Sequence, residues 1–451
     1  MRDALLGLTT RGRSFVAAGV AVLAAATATS QDDLLRIAVL LIALPVISAL
    51  VVSRTRYRLS SGRRLASPRT AAGQESAVTL RLDNISRLPT GLLLVEDRIP
   101  YVLGSRPRFV LDRVEPRGRR EVTYTVRSDV RGRYQLGPLS LRLTDPFGMC
   151  ELHRAFTSQD TLMVTPLVHP LPAVSLSGEW TGSGESRSRA IASAGDDDAG
   201  TREYRQGDDL RRVHWRSTAR LGQLMVRREE QPWQARCTLL LDSRSRAHGG
   251  EGPGSSFEWA VSAAASVGVH LVRHGYFVRL LTDTGAHVAG SDPGLDGGSS
   301  DVEGSLLDAL AVVTTSENTS LRDAGASLRR GGGDGLLVAV LGSVDPEEAH
   351  LLARLRHGST AAIAVLLETD TWTAASTRAR AAARASYEGS AALLRASGWR
   401  VISVQAGQSL PDRWQEAAYQ HSASRAAAVR AASVPAPAVP AASSLSSGGR
   451  S

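Results

Sequence analysis

The chain has 451 residues, 43% of them hydrophobic, which is enough for two or three domains with cores of ordinary size. Its formal charge of +9 is confined to one end: residues 1–70 hold 10 arginines against 3 aspartates and the remainder is nearly neutral, which excludes a nucleic-acid footprint on a folded domain. None of the 53 basic residues is a lysine, which excludes a Walker A loop, a Schiff-base enzyme and a kinase-type phosphate clamp.

Two apolar runs open the chain. Phe15 to Ser30 is alanine-rich, and Ile37 to Ser53 contains Pro45. Each is slightly short of the roughly 20 residues of a comfortable span. Leu34 and Leu35 extend the second run, with Arg36 able to snorkel to the interface. Arg11 and Arg13 precede the first run, Asp32 and Asp33 lie between the two, and Arg54, Arg56, Arg58, Arg63 and Arg64 follow the second. By the positive-inside rule, residues 1–56 form a transmembrane hairpin of the plasma membrane, two-pass, with both termini and the soluble domains cytoplasmic. The alternative for the first run is a signal peptide cleaved near the small residues of AATATS. The arginines after the second run still place everything beyond residue 54 inside.

Residues 57–172 read as a β-sandwich-like domain. Val78, Leu80 and Leu82 alternate with polar neighbours, as do Val122, Tyr124 and Val126, and Leu139, Leu141 and Leu143. Turn signals at Pro116-Arg117-Gly118, Gly137-Pro138 and Asp145-Pro146 separate such strands. At Asp145-Pro146-Phe147-Gly148, Asp145 is expected to cap the turn, Pro146 to set its φ, and Phe147 to insert into the core. Residues 173–203 are rich in Ser, Gly and Asp and read as a linker.

Residues 204–420 open with a stretch that mixes aromatics and paired charges, YRQGDDLRRVHWRSTARLGQ, ahead of the buried-looking strand Cys237 to Asp242. Tyr204 and Trp215 bury large areas and want polar partners, which the surrounding acids and arginines could supply. The stretch reads either as a charge-laced structural cap or as a docking surface whose anchors are aromatic and arginine side chains. The expected interaction residues are Tyr204, Gly207, Asp208, Arg211, Trp215, Ala219 and Arg220. Beyond it, strands alternate with helices: strand Tyr276–Thr282, helix Ser305–Val313, strand Gly335–Leu341, helix Pro346–Arg356, strand Ala361–Leu367, helix Ser386–Ser397 and strand Trp399–Val404, with a first helix at Phe257–Arg273. That alternation argues for an α/β, doubly wound parallel sheet. The Ala/Pro/Ser-rich tail, residues 421–451, is expected to be disordered.

Few residues suggest chemistry. The two cysteines, Cys150 and Cys237, show no metal spacing and fit packing roles in a reducing compartment. His270 and His274 have zinc-like spacing but no third ligand nearby, and read as structural histidines. Gly331 to Gly335 precedes a strand rather than following one, so it reads as a connection and not as a phosphate cradle. Asp208, Asp209 and His214 together are compatible with acid–base work, and a hydrolase built on them is the alternative function.

Tyr204-x-x-Gly207-Asp208-x-x-Arg211-x-x-x-Trp215-x-x-Thr218-Ala219-Arg220 resembles the signature of the bacterial domain-of-unknown-function 58 family, and RGRYQLGPLSLRLTDPFG, Arg131 to Gly148, is similar to that family's upstream elements. Together with the membrane segments, the resemblance spans nearly all of residues 10 to 420. It implies a membrane-tethered protein with a von Willebrand factor type A-like α/β domain, partnered by a MoxR-type AAA+ ATPase. Metal-binding type A domains hold Mg²⁺ with Asp-x-Ser-x-Ser after the first strand. Here the run is Asp242-Ser243-Arg244-Ser245-Arg246, with arginines in the hydroxyl positions. Asp242, Ser243 and Ser245, with Asp283 and Asp345, are the candidates for a divergent Mg²⁺ site. The preferred reading is that Asp242 caps a loop or pairs with an arginine, and that no cofactor is bound. The expected function is a noncatalytic, membrane-anchored interaction scaffold facing the cytoplasm, working in envelope maintenance or complex assembly.

Overall fold

In a computed structural model of the protein, the described residues are 7–55, 59–87, 89–90, 92–145, 147–173, 201–204, 213, 215–227, 236–290, 299–330, 335–355, 361–374 and 376–416. The chain divides into two compact units, one of Met1–Val168, Glu251–Ala265 and Ser300–Thr314, the other of His169–Gly250, Ser266–Ser299 and Thr315–Ser451.

The first unit begins with two helices, α1 (Thr10–Thr29) and α2 (Asp32–Thr55), both long and apolar enough to cross a membrane. Each starts five residues before its apolar run, because the helix start is set by caps and not by hydropathy. The Thr9 side chain accepts from the Gly12 N–H at 3.2 Å. Asp32 and Asp33 occupy the first turn of α2, where the helix dipole favours negative charge. The helices meet closely: a Cβ on Gly19 would lie 2.6 Å from Ile42 Cγ1.

Among the described residues ten strands follow: β1 (Leu59–Leu65), β2 (Arg69–Ala71), β3 (Glu75–Asn84), β4 (Leu92–Asp97), β5 (Arg108–Leu111), β6 (Arg119–Arg127), β7 (Gly132–Leu136), β8 (Leu139–Thr144), β9 (Glu151–Ala155) and β10 (Asp160–Thr165). They form three sheets, ordered β1-β3-β6, β5-β4-β8-β9 and β2-β10-β7. Period-2 alternation works as the sequence implies: Val78, Leu80 and Leu82 of β3 are buried. Leu80 and Leu82 share a core with Leu93 and Val95 of β4, Leu141 and Leu143 of β8, and Ala49 of α2. Each such leucine contributes about 1.5–3 kcal/mol by burial. A polar knot crosses the sheets, where Arg63 pairs with Asp97 at 2.5 Å and with Asp160 at 2.9 Å, and the Tyr124 hydroxyl donates to Asp97 at 2.6 Å. Burial, and then the Asp97 carboxylate, push the Tyr124 phenol well above its ordinary value.

The Asp145 turn departs from expectation in one respect. Asp145 does cap it, accepting from the Phe147 N–H at 3.0 Å and the Cys150 N–H at 2.6 Å. Phe147, however, points outward and is 58% exposed. The core places are taken by Met149 and Cys150, because the capped turn reverses the chain before Phe147 can reach inward. Pro146 lies outside the described residues.

Arg131, the first residue of the RGRYQLGP run, bears on two helices, α4 (Ser256–Arg273) and α5 (Ser299–Val312), through their portions within this unit. Its guanidinium donates to the Glu258 carboxylate, to the Leu310 carbonyl at 2.9 Å and to the Val313 carbonyl. It also lies 5.2 Å from the Phe257 ring centroid.

The second unit holds a small antiparallel pair, β11 (Thr201–Glu203) with β12 (Met225–Arg227), separated by helix α3 (Trp215–Leu221). Its main sheet comprises β13 (Arg236–Leu241), β14 (Phe277–Thr282), β15 (His287–Gly290), β16 (Leu336–Leu341), β17 (Ala362–Leu367) and β18 (Arg400–Val404), in the order β15-β14-β13-β16-β17-β18. All neighbours are parallel except the edge strand β15. Helices α6 (Arg322–Arg330), α7 (Pro346–Ala353) and α8 (Thr377–Ala396) contribute Ala324, Leu352 and Leu394 to a core with Leu240, Ala339 and Leu366. The alternate strand residues Leu239, Leu241, Val338, Val340 and Val365 are buried as well, so both faces of the sheet are covered. Neither β15 nor α6 is anticipated from the sequence, and α8 begins nine residues before the expected Ser386. Three residues of the segment read as a linker, Thr201–Glu203, form β11, and the tail beyond residue 416 lies outside the described residues.

Candidate functional site

Strand order in the main sheet reverses at β13, whose neighbours are β14 and β16. In open α/β sheets the crevice beyond the carboxyl ends of the strands at such a reversal is the usual ligand position. Here that position holds a charged cluster. Asp242 ends β13, Asp283 follows β14, and Asp345 and Glu348 begin the helix after β16.

The centre of the cluster is occupied by Arg244. Its Nε and Nη2 each donate to Asp242 at 2.8 Å, one to each carboxylate oxygen. Nη1 donates to Glu348, and Nη2 also reaches the Ser343 carbonyl at 3.2 Å. Neither Arg244 nor Asp242 has any exposed side-chain surface. Burial opposes the charge on Arg244, but the hydrogen bonds and charge of Asp242, then of Glu348, outweigh it and raise its pKa. Burial likewise raises the Glu348 carboxyl, against the pull of Arg244 and Arg246. With two guanidiniums in contact, Arg246 at 2.8 Å, we take the group as ionic.

The rest of the cluster is closed by short polar contacts. Asp242 also accepts from the backbone N–H groups of Arg244 and Gly342, both at 3.2 Å. The Ser243 hydroxyl donates to Asp283, and the Ser316 hydroxyl donates to the other Asp283 oxygen at 2.5 Å. His248 Nε2 lies 2.8 Å from the Asp242 carbonyl, and burial lowers its pKa. Asp345 caps α7, accepting from the Glu348 N–H at 2.9 Å, while Glu348 returns a contact to the Asp345 N–H in a reciprocal capping box.

These residues do not fit a divalent cation. Mg²⁺ requires a shell of oxygen ligands, and both Asp242 oxygens are engaged by a guanidinium. The structure brings Asp242, Ser243 and Asp283 together but leaves Ser245 at the start of a short exposed turn and Asp345 at a helix cap. Among the described residues, no three His, Cys, Asp or Glu side chains converge as a metal-ligand set. Sequence reasoning missed Glu348, Ser316 and His248. The Asp345-Pro346-x-Glu348 spacing signals a capped helix start, but nothing local in the sequence connects it with Arg244, 104 residues away.

A second feature of this unit is the signature stretch itself. The Tyr204 N–H donates to the Leu224 carbonyl at 2.8 Å, and the Met225 N–H donates to the Thr218 hydroxyl at 3.0 Å, so α3 is laced back onto β12. Val213 bridges Val226, and both are buried. Gly222, with φ +71, makes the turn after α3 in a left-handed conformation that a side chain would strain. On this support Trp215 is 69% exposed. Leu221 and Leu224 are exposed beside it in sequence, as are Ala219 and Arg220. Gly207, Asp208, Asp209, Arg211 and His214 lie outside the described residues.

Residues 200–370, from the signature through β17, match the model of a family described as protein of unknown function DUF58. Residues 200–370 are a DUF58 region. The match covers both features described above, the Arg244 cluster and the α3 support of Trp215. No curated protein matches this chain. Among solved structures, it is similar to the CARDB domain of a Pyrococcus furiosus protein, at 11% identity and a TM-score of 0.18, over 24% of this chain and 94% of that domain. It is also similar to the complex of zinc 2-glycoprotein and prolactin inducible protein from human seminal plasma, at 7% identity and a TM-score of 0.19, over 23% of this chain and 92% of that one. A putative ApaA protein from Bordetella pertussis matches at 13% identity and a TM-score of 0.18, over 24% and 91% respectively.

Proposed function

We propose that this protein is a noncatalytic, membrane-anchored scaffold that faces the cytoplasm and docks a MoxR-type AAA+ ATPase through the α3 face. The observation that carries this reading is the exposure of Trp215. A tryptophan that sits in a signature stretch for packing reasons would be buried against its own domain. Trp215 is 69% exposed on a short helix that the Thr218 hydroxyl holds to the Met225 N–H of β12. Large apolar side chains held rigidly on a charged surface are the ordinary form of an interface anchor.

Three further observations agree. No lysine is available for ATP chemistry, so hydrolysis falls to a partner. The strand order, with its reversal at β13 and an antiparallel edge at β15, suits a type A-like interaction domain. The arginines flanking α1 and α2 favour a cytoplasmic location for both units. A photo-crosslinking residue at position 215, introduced into the full-length protein in its native membrane, tests the reading. An adduct with the ATPase is expected; adducts with lipid alone, or with a small-molecule substrate, would count against it.

A further inference from the structure

The membrane helices and the β-sheets of the first unit meet at one rim, and that rim is built like a lipid-contacting surface. Residues 7–9, which lead into α1, are fastened to the Asp145 turn. The Thr9 N–H donates to the Met149 carbonyl at 2.9 Å, the Thr9 hydroxyl to the Gly148 carbonyl at 2.7 Å, and the Glu151 N–H to the Gly7 carbonyl at 2.8 Å. A Cβ on Gly12 would fall 2.3 Å from the Met149 carbonyl oxygen, so the first turn of α1 lies directly on this turn. The other helix arrives at the same end: β1, which follows α2, begins at Leu59 opposite Asn84, the last residue of β3. Leu92 at the start of β4 pairs with Thr144 at the end of β8. The loop after β3 and the loop before β6 interlock, with the Asn84 side chain donating to the Val114 carbonyl at 3.2 Å and the Arg117 N–H donating to the Ser86 carbonyl at 3.1 Å.

Among the described residues of this rim, three large apolar side chains project into solvent: Ile85 at 66%, Leu92 at 46% and Phe147 at 58% exposure. Around them, residues 83–90 and 112–120 carry five arginines against three acids; Arg119 pairs with Asp83 at 2.8 Å and Arg113 with Glu115 at 3.4 Å, and Arg87, Arg117 and Arg120 supply the positive excess. Apolar side chains ringed by cations, continuous with two spans, match a headgroup layer that is apolar below and anionic above. A protein partner would also suit exposed apolar groups, but this rim is fixed by the helix connections at the depth where the bilayer begins.

We infer that the Ile85–Leu92–Phe147 rim inserts into the headgroup region of an anionic bilayer, and so sets the first unit down on the membrane instead of leaving it on a free tether. The inference rests on the membrane reading of α1 and α2, and its test separates the two. Both native cysteines are buried, so spin labels can be placed on single exposed positions of the full-length protein in nanodiscs. Phe147→Cys and Leu92→Cys report on the rim, Val20→Cys on the middle of α1, and Tyr101→Cys on the far end of β4. Collision with oxygen relative to a water-soluble nickel complex reads depth. The expected result is a hydrocarbon signal at 20, a water signal at 101, and values at 147 and 92 several-fold above that at 101 in discs containing phosphatidylglycerol. Replacing phosphatidylglycerol by phosphatidylcholine, or substituting Arg87→Gln with Arg117→Gln, should move the rim labels toward water. If 20 reads as hydrocarbon while 147 and 92 are as wet as 101, the rim does not dock. If rim depth ignores lipid charge, the anionic-headgroup assignment is wrong. If 20 itself is wet, the spans and the rim fail together.

Discussion

Arg244 and Asp242 form a two-pronged ion pair with no exposed side-chain surface on either partner, at 2.8 Å from Nε to Oδ1 and 2.8 Å from Nη2 to Oδ2. The pair stands at the sheet's strand-order reversal, where a doubly wound domain ordinarily presents an open crevice. The guanidinium therefore neutralises the carboxylate from within the chain. Arg244→Met would leave Asp242 buried without its cation and Glu348 with Arg246 alone. Breaking a buried pair from one side costs about 3–5 kcal/mol, which denaturant unfolding of the full-length protein in detergent would read. The wild-type unfolding midpoint should not respond to Mg²⁺; a midpoint that climbs with added Mg²⁺ would show that Asp242 is neutralised by metal instead.

His248 gives the cluster a pH dependence of definite sign. Burial disfavours its imidazolium, so its folded pKa lies below the ordinary value of 6.5. Above 6.5 the ring is neutral whether the chain is folded or not, and its contribution to stability is fully present. As pH falls below 6.5, the unfolded chain takes up a proton that the folded ring resists, and stability declines. His270, lowered first by burial and then by the charge of His274, acts in the same sense. Unfolding midpoints should drop between about pH 7.5 and about pH 5.5, and His248→Gln should reduce the drop without abolishing it.

Asp145 and Phe147 belong to one turn but should respond oppositely to substitution. Asp145→Ala removes the acceptor for two backbone N–H groups and should destabilise by about 1–3 kcal/mol. Phe147→Ser, at an exposed position, should change stability in detergent by less than about 0.5 kcal/mol. Thermal unfolding of the two variants side by side would check the contrast. A large loss from Phe147→Ser would mean that the ring packs inside the protein after all.

Gly12 is small because the Met149 carbonyl leaves it no room. Backbone cannot yield as a side-chain tip can, so Gly12→Ala should push α1 off the Asp145 turn and cost about 1–3 kcal/mol. Limited proteolysis should then cut near residue 148 faster than in the wild type.

The hydrophobic pattern made the architecture readable where it is regular. The two apolar helices, the alternation on β3 and the buried strands β13, β16 and β17 follow directly from apolar runs and period-2 spacing. The pattern fails where structure depends on something other than an apolar face. The first half of α8, TRARAAARA, is helical because alanine and arginine favour helix and Ser376 caps it, although most of its surface faces solvent. The edge strand β15 is four residues of ladder hydrogen bonds with no hydrophobic signature. In the Arg244 cluster, the sequence shows the arginines beside Asp242 but not Glu348 or Ser316, which are brought in by tertiary folding from 104 and 72 residues away.

The central claim, that Trp215 anchors a protein partner, is tested most directly by equilibrium binding of the purified MoxR-type ATPase to the full-length protein in nanodiscs. Trp215→Ala should weaken binding by about 2 kcal/mol or more, close to thirtyfold, as expected for a hot-spot aromatic. Tyr101→Ala, at a still more exposed aromatic on the first unit, should leave the affinity unchanged. Equal affinity for wild type and Trp215→Ala would contradict the docking role of α3.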